Sequence, residues 1–357
     1  MAARRRLRGA RVPLTRGVAA LLVAAALAAC AGGDTAAPPT ATTTTTAPPA
    51  YPASIDARPS AGCGDSAIGP VRRERRTLEI AGEERWYLLS TPTAHDGETP
   101  LPLVLELHGL AQGAEGAANT GLLDDLGERE GFVSAFPHGT GAPVRWNERL
   151  DDPANADLDF IGAVLDDVGE ARCIDEARVY VGGLSYGAIM SSTLACTMAD
   201  RFAAIGPVAG VRHPEGCEPS RPVPVLSMHG TVDPILLFNG GIGDLGAALS
   251  GGEVRIPDGD VDLDGEGYPA AMREWAEANG CGTSTDERRS EHVIDRSWDC
   301  PDEVEVRFLI IEGGGHSWPG SAAHEALERI VGPTTDELDA TAELWAFYRR
   351  HARSSRG

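Results

Sequence analysis

The stretch from Arg178 to Cys196, RVYVGGLSYGAIMSSTLAC, constrains this chain more than any other. Its first part, Arg178 to Gly183, is a β-branched and aromatic run that reads as a strand. The part from Ala188 to Met198 reads as a helix, and only Gly183-Leu184-Ser185-Tyr186-Gly187 lies between them. A strand that passes directly into a helix is the building unit of a parallel sheet. The same alternation recurs along the chain. RRTLEI and RWYLLS read as two early strands joined by an Ala81-Gly82 turn. Leu101–Gly109 and Gly131–Gly139 are near-continuous apolar runs that end in Gly, as strands buried on both faces do. Asp157 opens a helical stretch in which Phe160, Ile161, Val164, Leu165 and Val168 share one face, with Asp capping its start. Further strands are expected at Phe202–Gly210, Pro222–Gly230 and Val304–Glu312, and a final helix from about Asp336 to His351. Together they predict an α/β fold with a mainly parallel central sheet and helices on both faces.

The first residues read as an address. Arg4, Arg5, Arg6, Arg8, Arg11 and Arg16 precede the apolar run Val18 to Ala29. That run is shorter than the roughly 20 residues a spanning helix needs, so it reads as a signal-peptide core. It ends in Leu27-Ala28-Ala29-Cys30, which resembles a bacterial lipobox whose Cys30 is lipidated. The expected organisation is a signal peptide over 1–29, a disordered Thr/Pro/Ala tether over 30–65 and a catalytic domain over 66–357. The protein is expected outside the cytoplasm, lipid-anchored or secreted, touching membrane only through that anchor. Six other cysteines remain, an even number in an exported chain, which points to three disulfides. Nearness in sequence favours Cys196–Cys217 and Cys281–Cys300, leaving Cys63–Cys173.

The residues that carry chemistry sit where strands end. Gly-x-Ser-x-Gly between a strand and a helix holds Ser185 on a strained turn that exposes its hydroxyl above the sheet. A serine hydroxyl needs a positioned base. His316 follows the last strand in a glycine loop, and Asp233 follows the strand that ends at Gly230. Ser185, Asp233, His316 is the chain order of an α/β-hydrolase triad. Leu110, just past the Leu101–Gly109 strand, and Tyr186 are the expected backbone donors to an oxyanion. His108 and His229 precede Gly at strand ends and read as loop-shaping or hydrogen-bonding residues. Trp146 and Trp318 are candidate walls of a substrate cleft, with packed core as the alternative for each.

The stretch YVGGLSYGAIMSSTLACTMADRFAAIGPVAG, followed by VPVLSMHGTVDP, NGG and GGGHSWPG, resembles the polyhydroxybutyrate depolymerase–feruloyl esterase group of α/β-hydrolases. The resemblance runs from about Arg75 to Arg350. It implies a secreted serine esterase whose nucleophile, acid and base fall on Ser185, Asp233 and His316, with no cofactor required. Its substrate would be a hydroxyalkanoate ester or, alternatively, a feruloyl or acetyl ester of plant polysaccharide, small or polymeric. Members often carry Asn-Gly-Gly after the serine, whereas this chain has Tyr186-Gly187-Ala188, which narrows the acyl side of the site. A peptidase, or a surface binding protein with an inactive triad, are the rival readings. The protein is expected to act as a monomer.

One motif stands outside this chemistry. Asp258, Asp260, Asp262 and Asp264 alternate, with Gly265 after the last. The loop reads first as a solvated acidic turn and second as a structural calcium site. The formal net charge of −22 excludes nucleic acid as a partner class, since so acidic a surface repels phosphate.

Overall fold

In the computed structural model ten strands form one sheet in the order β1-β2-β4-β3-β5-β6-β7-β10-β9-β8. The structure describes residues 56–65, 69–250 and 260–354, the side chains of 249–250 excepted. The expected signal peptide, Cys30, most of the tether and Asp258 lie outside the described residues. The strands are β1 (Val71–Ile80), β2 (Glu83–Thr91), β3 (Leu101–Leu107), β4 (Val133–Pro137), β5 (Ile174–Leu184), β6 (Ala204–Val208), β7 (Val225–Gly230), β8 (Ser284–Arg288), β9 (Val293–Trp298) and β10 (Val306–Ile311). β4, β3, β5, β6, β7 and β10 run parallel to one another. An antiparallel pair flanks them at each side, β1–β2 against β4 and β9–β8 against β10.

The helices are α1 (Gly113–Gly121), α2 (Leu123–Glu130), α3 (Ala156–Ala171), α4 (Tyr186–Thr197), α5 (Asp244–Ser250), α6 (Tyr268–Ala278), α7 (Ala322–Glu325), α8 (Glu328–Val331) and α9 (Ala340–Tyr348). None of them is long and apolar enough to cross a membrane. The alternation of side chains along β3 explains the layering. Leu103, Leu105 and Leu107 point into one core with Phe160 and Val164 of α3, Met190 and Leu194 of α4 and Trp275 of α6. Val104 points the other way, into a core with Ala117 of α1, Leu126 of α2 and Leu344 and Phe347 of α9. Apolar residues on both faces of β3 are therefore the direct signature of a sheet covered twice.

Local details depart from expectation where a side chain finds a better partner. Asn155 caps α3, its side chain accepting from the Asp157 N–H at 3.1 Å. Asp157, expected as the cap, turns inward to the buried guanidinium of Arg85 at 2.7 Å. The last helix is shorter than expected because Asp339 caps it, accepting from the Ala342 N–H. The three disulfides join Cys63 to Cys173, Cys196 to Cys217 and Cys281 to Cys300, the pairing favoured by sequence distance.

β3 also buries a carboxyl group. Glu106 faces the α1/α2/α9 side, and its Oε2 has no hydrogen-bond partner among the described residues. Burial pushes its pKa well above the ordinary 4.5; Asp124 adds to this and Arg73 opposes it. A carboxyl raised in the folded state contributes stability below its ordinary pKa and loses it as pH rises. Stability is therefore expected to fall as pH climbs above 4.5, and Glu106→Gln, uncharged and of the same shape, is expected to flatten that fall. Thermal melts across the pH range check this; an unchanged slope in Glu106→Gln would refute it.

Candidate active site

The strand order reverses direction at β3: the chain goes from β3 outward to β4, then crosses to β5 on the other side. In open parallel sheets this crevice, at the carboxyl ends of the strands, is where ligands bind. Ser185 stands there, immediately after β5, with φ 57° and ψ −115°. Its N–H donates to the Val208 carbonyl at 2.9 Å, and its own carbonyl accepts from Ile189. A non-glycine residue at that φ is strained and persists only where its surroundings over-determine it. The surroundings do so through contact. A Cβ at Gly187 would lie 2.0 Å from the Leu107 carbonyl oxygen, and one at Gly183 2.3 Å from the same atom. The elbow can press onto β3 only because both positions lack a side chain.

Asp233 and His316 lie on the same edge, beyond β7 and β10. Those parallel strands pair from Val225↔Val306 to Gly230↔Ile311, so their loops leave side by side. The Val232 N–H donates to Gly314 O at 2.9 Å, and a Cβ at Gly230 would lie 2.1 Å from that oxygen. The glycine loop before His316 thus docks directly on the acid turn. His316 Nδ1 meets Asp233 Oδ2 at 2.7 Å, and both residues are buried. The other carboxylate oxygen accepts from the Ile235 and Leu236 N–H groups at 2.8 and 2.9 Å. Burial alone would push the Asp233 carboxyl up, but the imidazoles of His316 and His229 outweigh it and hold it below the usual carboxylate range. An ionised carboxylate on Nδ1 places the proton there and leaves the His316 Nε2 lone pair open.

His229, expected to be loop-shaping or hydrogen-bonding, is a hydrogen-bonding member of this cluster. Its Nε2 lies 2.9 Å from Leu236 O and 3.2 Å from Asp233 Oδ2, two acceptors that fix the proton on that nitrogen. Its ring stacks on Tyr268 with centroids 3.6 Å apart. The signal was its place four residues before Asp233, one turn away across the end of β7.

The loop after β3 leans on the elbow. A Cβ at Gly109 would be 3.6 Å from the Ser185 Cβ. The Gly109 N–H donates to Gln112 Oε1 at 2.8 Å and the Ala111 N–H to Val144 O at 2.8 Å. The Leu110 N–H between them has no protein partner among the described residues. The Tyr186 N–H opens α4, where the first N–H groups lack intrahelical acceptors. Of the two expected oxyanion donors, Tyr186 thus follows Ser185 directly in the chain, and Leu110 follows the glycine that leans on it.

The two tryptophans part company. Trp146 borders a cleft of about 360 Å³ with Thr140, Arg145, Asn147, Glu148 and Tyr186. Yet it is 2% exposed, and its indole N–H donates to the His108 carbonyl at 2.9 Å, so it is chiefly a support beneath the loop. Trp318, expected as a cleft wall, is also 2% exposed and packs in the core beside α9. Its indole N–H donates to Thr341 Oγ1 at 2.9 Å and its backbone N–H to His324 Nδ1 at 2.7 Å. A hydroxyl available inside the core removed any reason for that ring to face solvent. A second cavity, of about 310 Å³, is lined by Arg58, Arg201 and Arg353 among others and includes none of these site residues.

The described part of the acidic loop, from residue 260 on, assembles no calcium site. Among the described residues no three such groups could hold a metal ion. Asp264 Oδ1 pairs with Arg296 Nη1 at 2.9 Å, and Asp262 Oδ1 accepts from the Asp264 N–H. Asn239 ties the loop further, exchanging hydrogen bonds with the Asp262 backbone. Asp260 is exposed. A guanidinium thus supplies the counter-charge expected of a cation.

Comparison with known proteins shows similarity to esterases. Residues 86–261 match the family described as esterase PHB depolymerase. The chain is 30% identical over 285 residues to a putative esterase, NocK, of Nocardia uniformis subsp. tsuyamanensis, covering 74% of this chain and 78% of that protein. It is 25% identical to feruloyl esterase B of Piromyces equi over 65% of this chain, which spans only 42% of that longer protein. Among solved structures, an acetyl xylan esterase from Aspergillus awamori superposes with a TM-score of 0.50 over 68% of this chain and 94% of that one. Its 14% identity makes that a likeness of fold alone, and the fold is that of the α/β-hydrolases. By family match and by relatedness over most of its length, the chain belongs to the PHB depolymerase family of esterases.

Proposed function

We propose that the chain is an extracytoplasmic serine carboxylic-ester hydrolase acting through Ser185, His316 and Asp233. The observation that carries this reading is the 2.7 Å bond from His316 Nδ1 to a buried Asp233 carboxylate, on the same sheet edge as a serine in a strained elbow. Ser185 Oγ adds to the ester carbonyl carbon, and His316 Nε2 takes its proton. The carbonyl oxygen, now anionic, accepts from the Leu110 and Tyr186 N–H groups. As the tetrahedral adduct collapses, His316 returns the proton to the departing alkoxide. Water then attacks the acyl-enzyme with His316 again as base, releasing the acid and restoring the Ser185 hydroxyl. Asp233 keeps the imidazole in the Nδ1–H tautomer and stabilises its cation. No step draws on a cofactor. The three disulfides support a place outside the reducing cytoplasm.

The cleft beside Tyr186 bears on the substrate. Arg145, Asn147, Glu148 and Thr140 border it, offering donors and acceptors rather than an apolar trough. That lining suits a hydroxyl-bearing alcohol, as in an acylated sugar, better than a hydroxyalkanoate chain. The relatives named as feruloyl esterases favour the same side of the choice. Turnover is expected to be higher on methyl ferulate or acetylated xylan than on hydroxybutyrate oligomers, and negligible on the matching anilides. Initial rates on that panel check the reading. Preference for the oligomers would restore the hydroxyalkanoate substrate, and anilide turnover equal to ester turnover would point to a peptidase.

A further inference from the structure

The loop that carries the Leu110 N–H is held with unusual completeness. Consider the two peptide groups that meet at Gly109. In the first, the His108 carbonyl accepts from Trp146 Nε1 at 2.9 Å, and the Gly109 N–H donates to Gln112 Oε1 at 2.8 Å. In the second, the Gly109 carbonyl accepts from His108 Nδ1 at 2.7 Å and from the Gln112 N–H at 3.2 Å. His108 Nε2 in turn accepts from the Gly139 N–H at 2.9 Å, which fixes the Nδ1–H tautomer. Burial pushes that ring down to about 4, so it stays neutral at working pH.

In a planar trans peptide the C=O and N–H point in opposite directions. Two donors pulling the Gly109 carbonyl one way therefore aim the Leu110 N–H the other way. Gln112 does more than hold Gly109. Its Nε2 donates to Thr120 Oγ1 at 2.8 Å, at the far end of α1, and the Thr120 carbonyl accepts from Ser321 Oγ at 2.8 Å. Ser321 belongs to the segment that follows His316, and its N–H donates to Trp318 O. The chain of contacts thus runs from the Gly109 loop to the His316 loop through one amide side chain.

Resting on the serine-esterase reading above, we propose that Gln112 and His108 are positioning residues: together they clamp Gly109 by both its peptide groups, fix the Leu110 N–H as an oxyanion donor, and, through Gln112, brace that donor against the loop of His316. Neither touches substrate. Their contribution is felt only where negative charge develops, so it falls on kcat rather than KM.

The test compares Gln112→Leu, Gln112→Glu, His108→Leu and His108→Asn with the wild type and with Ser185→Ala. Folding is checked by circular dichroism and melting. Gln112→Leu is expected to lower kcat roughly 10- to 100-fold, below the loss of a whole donor, with KM within about twofold. Affinity for a trifluoromethyl ketone is expected to fall in parallel, because Ser185 Oγ adds to its carbonyl carbon, passes its proton to His316 and leaves an oxyanion in the hole. Gln112→Glu keeps an acceptor for the Gly109 N–H, and His108→Asn keeps a donor for the Gly109 carbonyl; both are expected to recover most of the loss seen in the Leu variants. An unchanged kcat in folded Gln112→Leu overturns the proposal, as does a fall in kcat without weaker ketone binding, or no recovery in Gln112→Glu. Should buried His108→Leu fail to fold, half-buried Gln112 carries the test alone. Full turnover by Ser185→Ala would instead overturn the esterase reading, a distinct outcome.

Discussion

Ser185→Ala is expected to lower kcat for a chromogenic short-acyl ester by about five to six powers of ten, leaving only what oriented backbone donors and binding contribute over water. The reason is local. The elbow holds that hydroxyl at the crevice, and the residue's backbone is committed to Val208 and Ile189. Ala fits the same backbone, so melting temperature is expected to stay near wild type. Asp233→Asn makes a milder case of about four powers of ten. An amide at that position invites the wrong imidazole tautomer, and it leaves the Ile235 and Leu236 N–H groups with a weaker acceptor. The two changes together are expected to cost no more than Ser185→Ala alone, since the residues act as a unit. Single-turnover rates with p-nitrophenyl acetate measure all three. A folded Ser185→Ala protein that hydrolyses the ester at the wild-type rate would exclude the nucleophile assigned here.

Removing the Cys63–Cys173 bridge should be the most damaging single change to stability. Its cysteines are 110 residues apart, against 21 and 19 for the other two bridges. The chain entropy removed from the unfolded state grows with that separation, to about 4–5 kcal/mol for the long bridge and about 3 kcal/mol for each short one. For a domain of this size that corresponds to a fall in Tm of roughly 7–8 °C. Calorimetry on Cys63→Ala/Cys173→Ala checks the value, and a shift no larger than that of the short bridges would contradict the ranking. The native contacts around the bridge point the same way. The Ser60 N–H donates to Ile174 O, Ser60 Oγ to Arg172 O, and the Gly62 N–H to Gly169 O, so the bridge locks residues 60–63, expected in the tether, onto the beginning of β5. That is the opposite end of the strand from Ser185. Catalytic constants below the transition should therefore barely move.

Much of this is legible in the sequence. The parallel strands announce themselves because burial on both faces leaves a near-continuous apolar run, as in Leu101–Leu107. The elbow is legible because its geometry admits few residues, and the positions of Asp233 and His316 because each follows a strand. Other elements carry no such mark. α1 is GAEGAANTG, whose three glycines offset the propensity of its alanines, and it is held by packing of Ala114, Ala117 and Ala118. β8 is exposed along its whole length, so STDER shows no alternation to read. The place of Trp318 depended on Thr341, that of Asp264 on Arg296, and the role of His229 on Tyr268 and Asp233.

What the sequence determined by itself was therefore local: which segments are strands, where the chain must turn sharply, and which residues leave the sheet at its carboxyl edge. These follow from periodicity and backbone sterics, which act between near neighbours. Only the tertiary structure decided which polar groups meet. The bond between His316 and Asp233, the clamp on Gly109 and the burial of Trp318 join segments far apart in the chain, and such pairings are settled by strand order, register and the need of each buried donor for an acceptor.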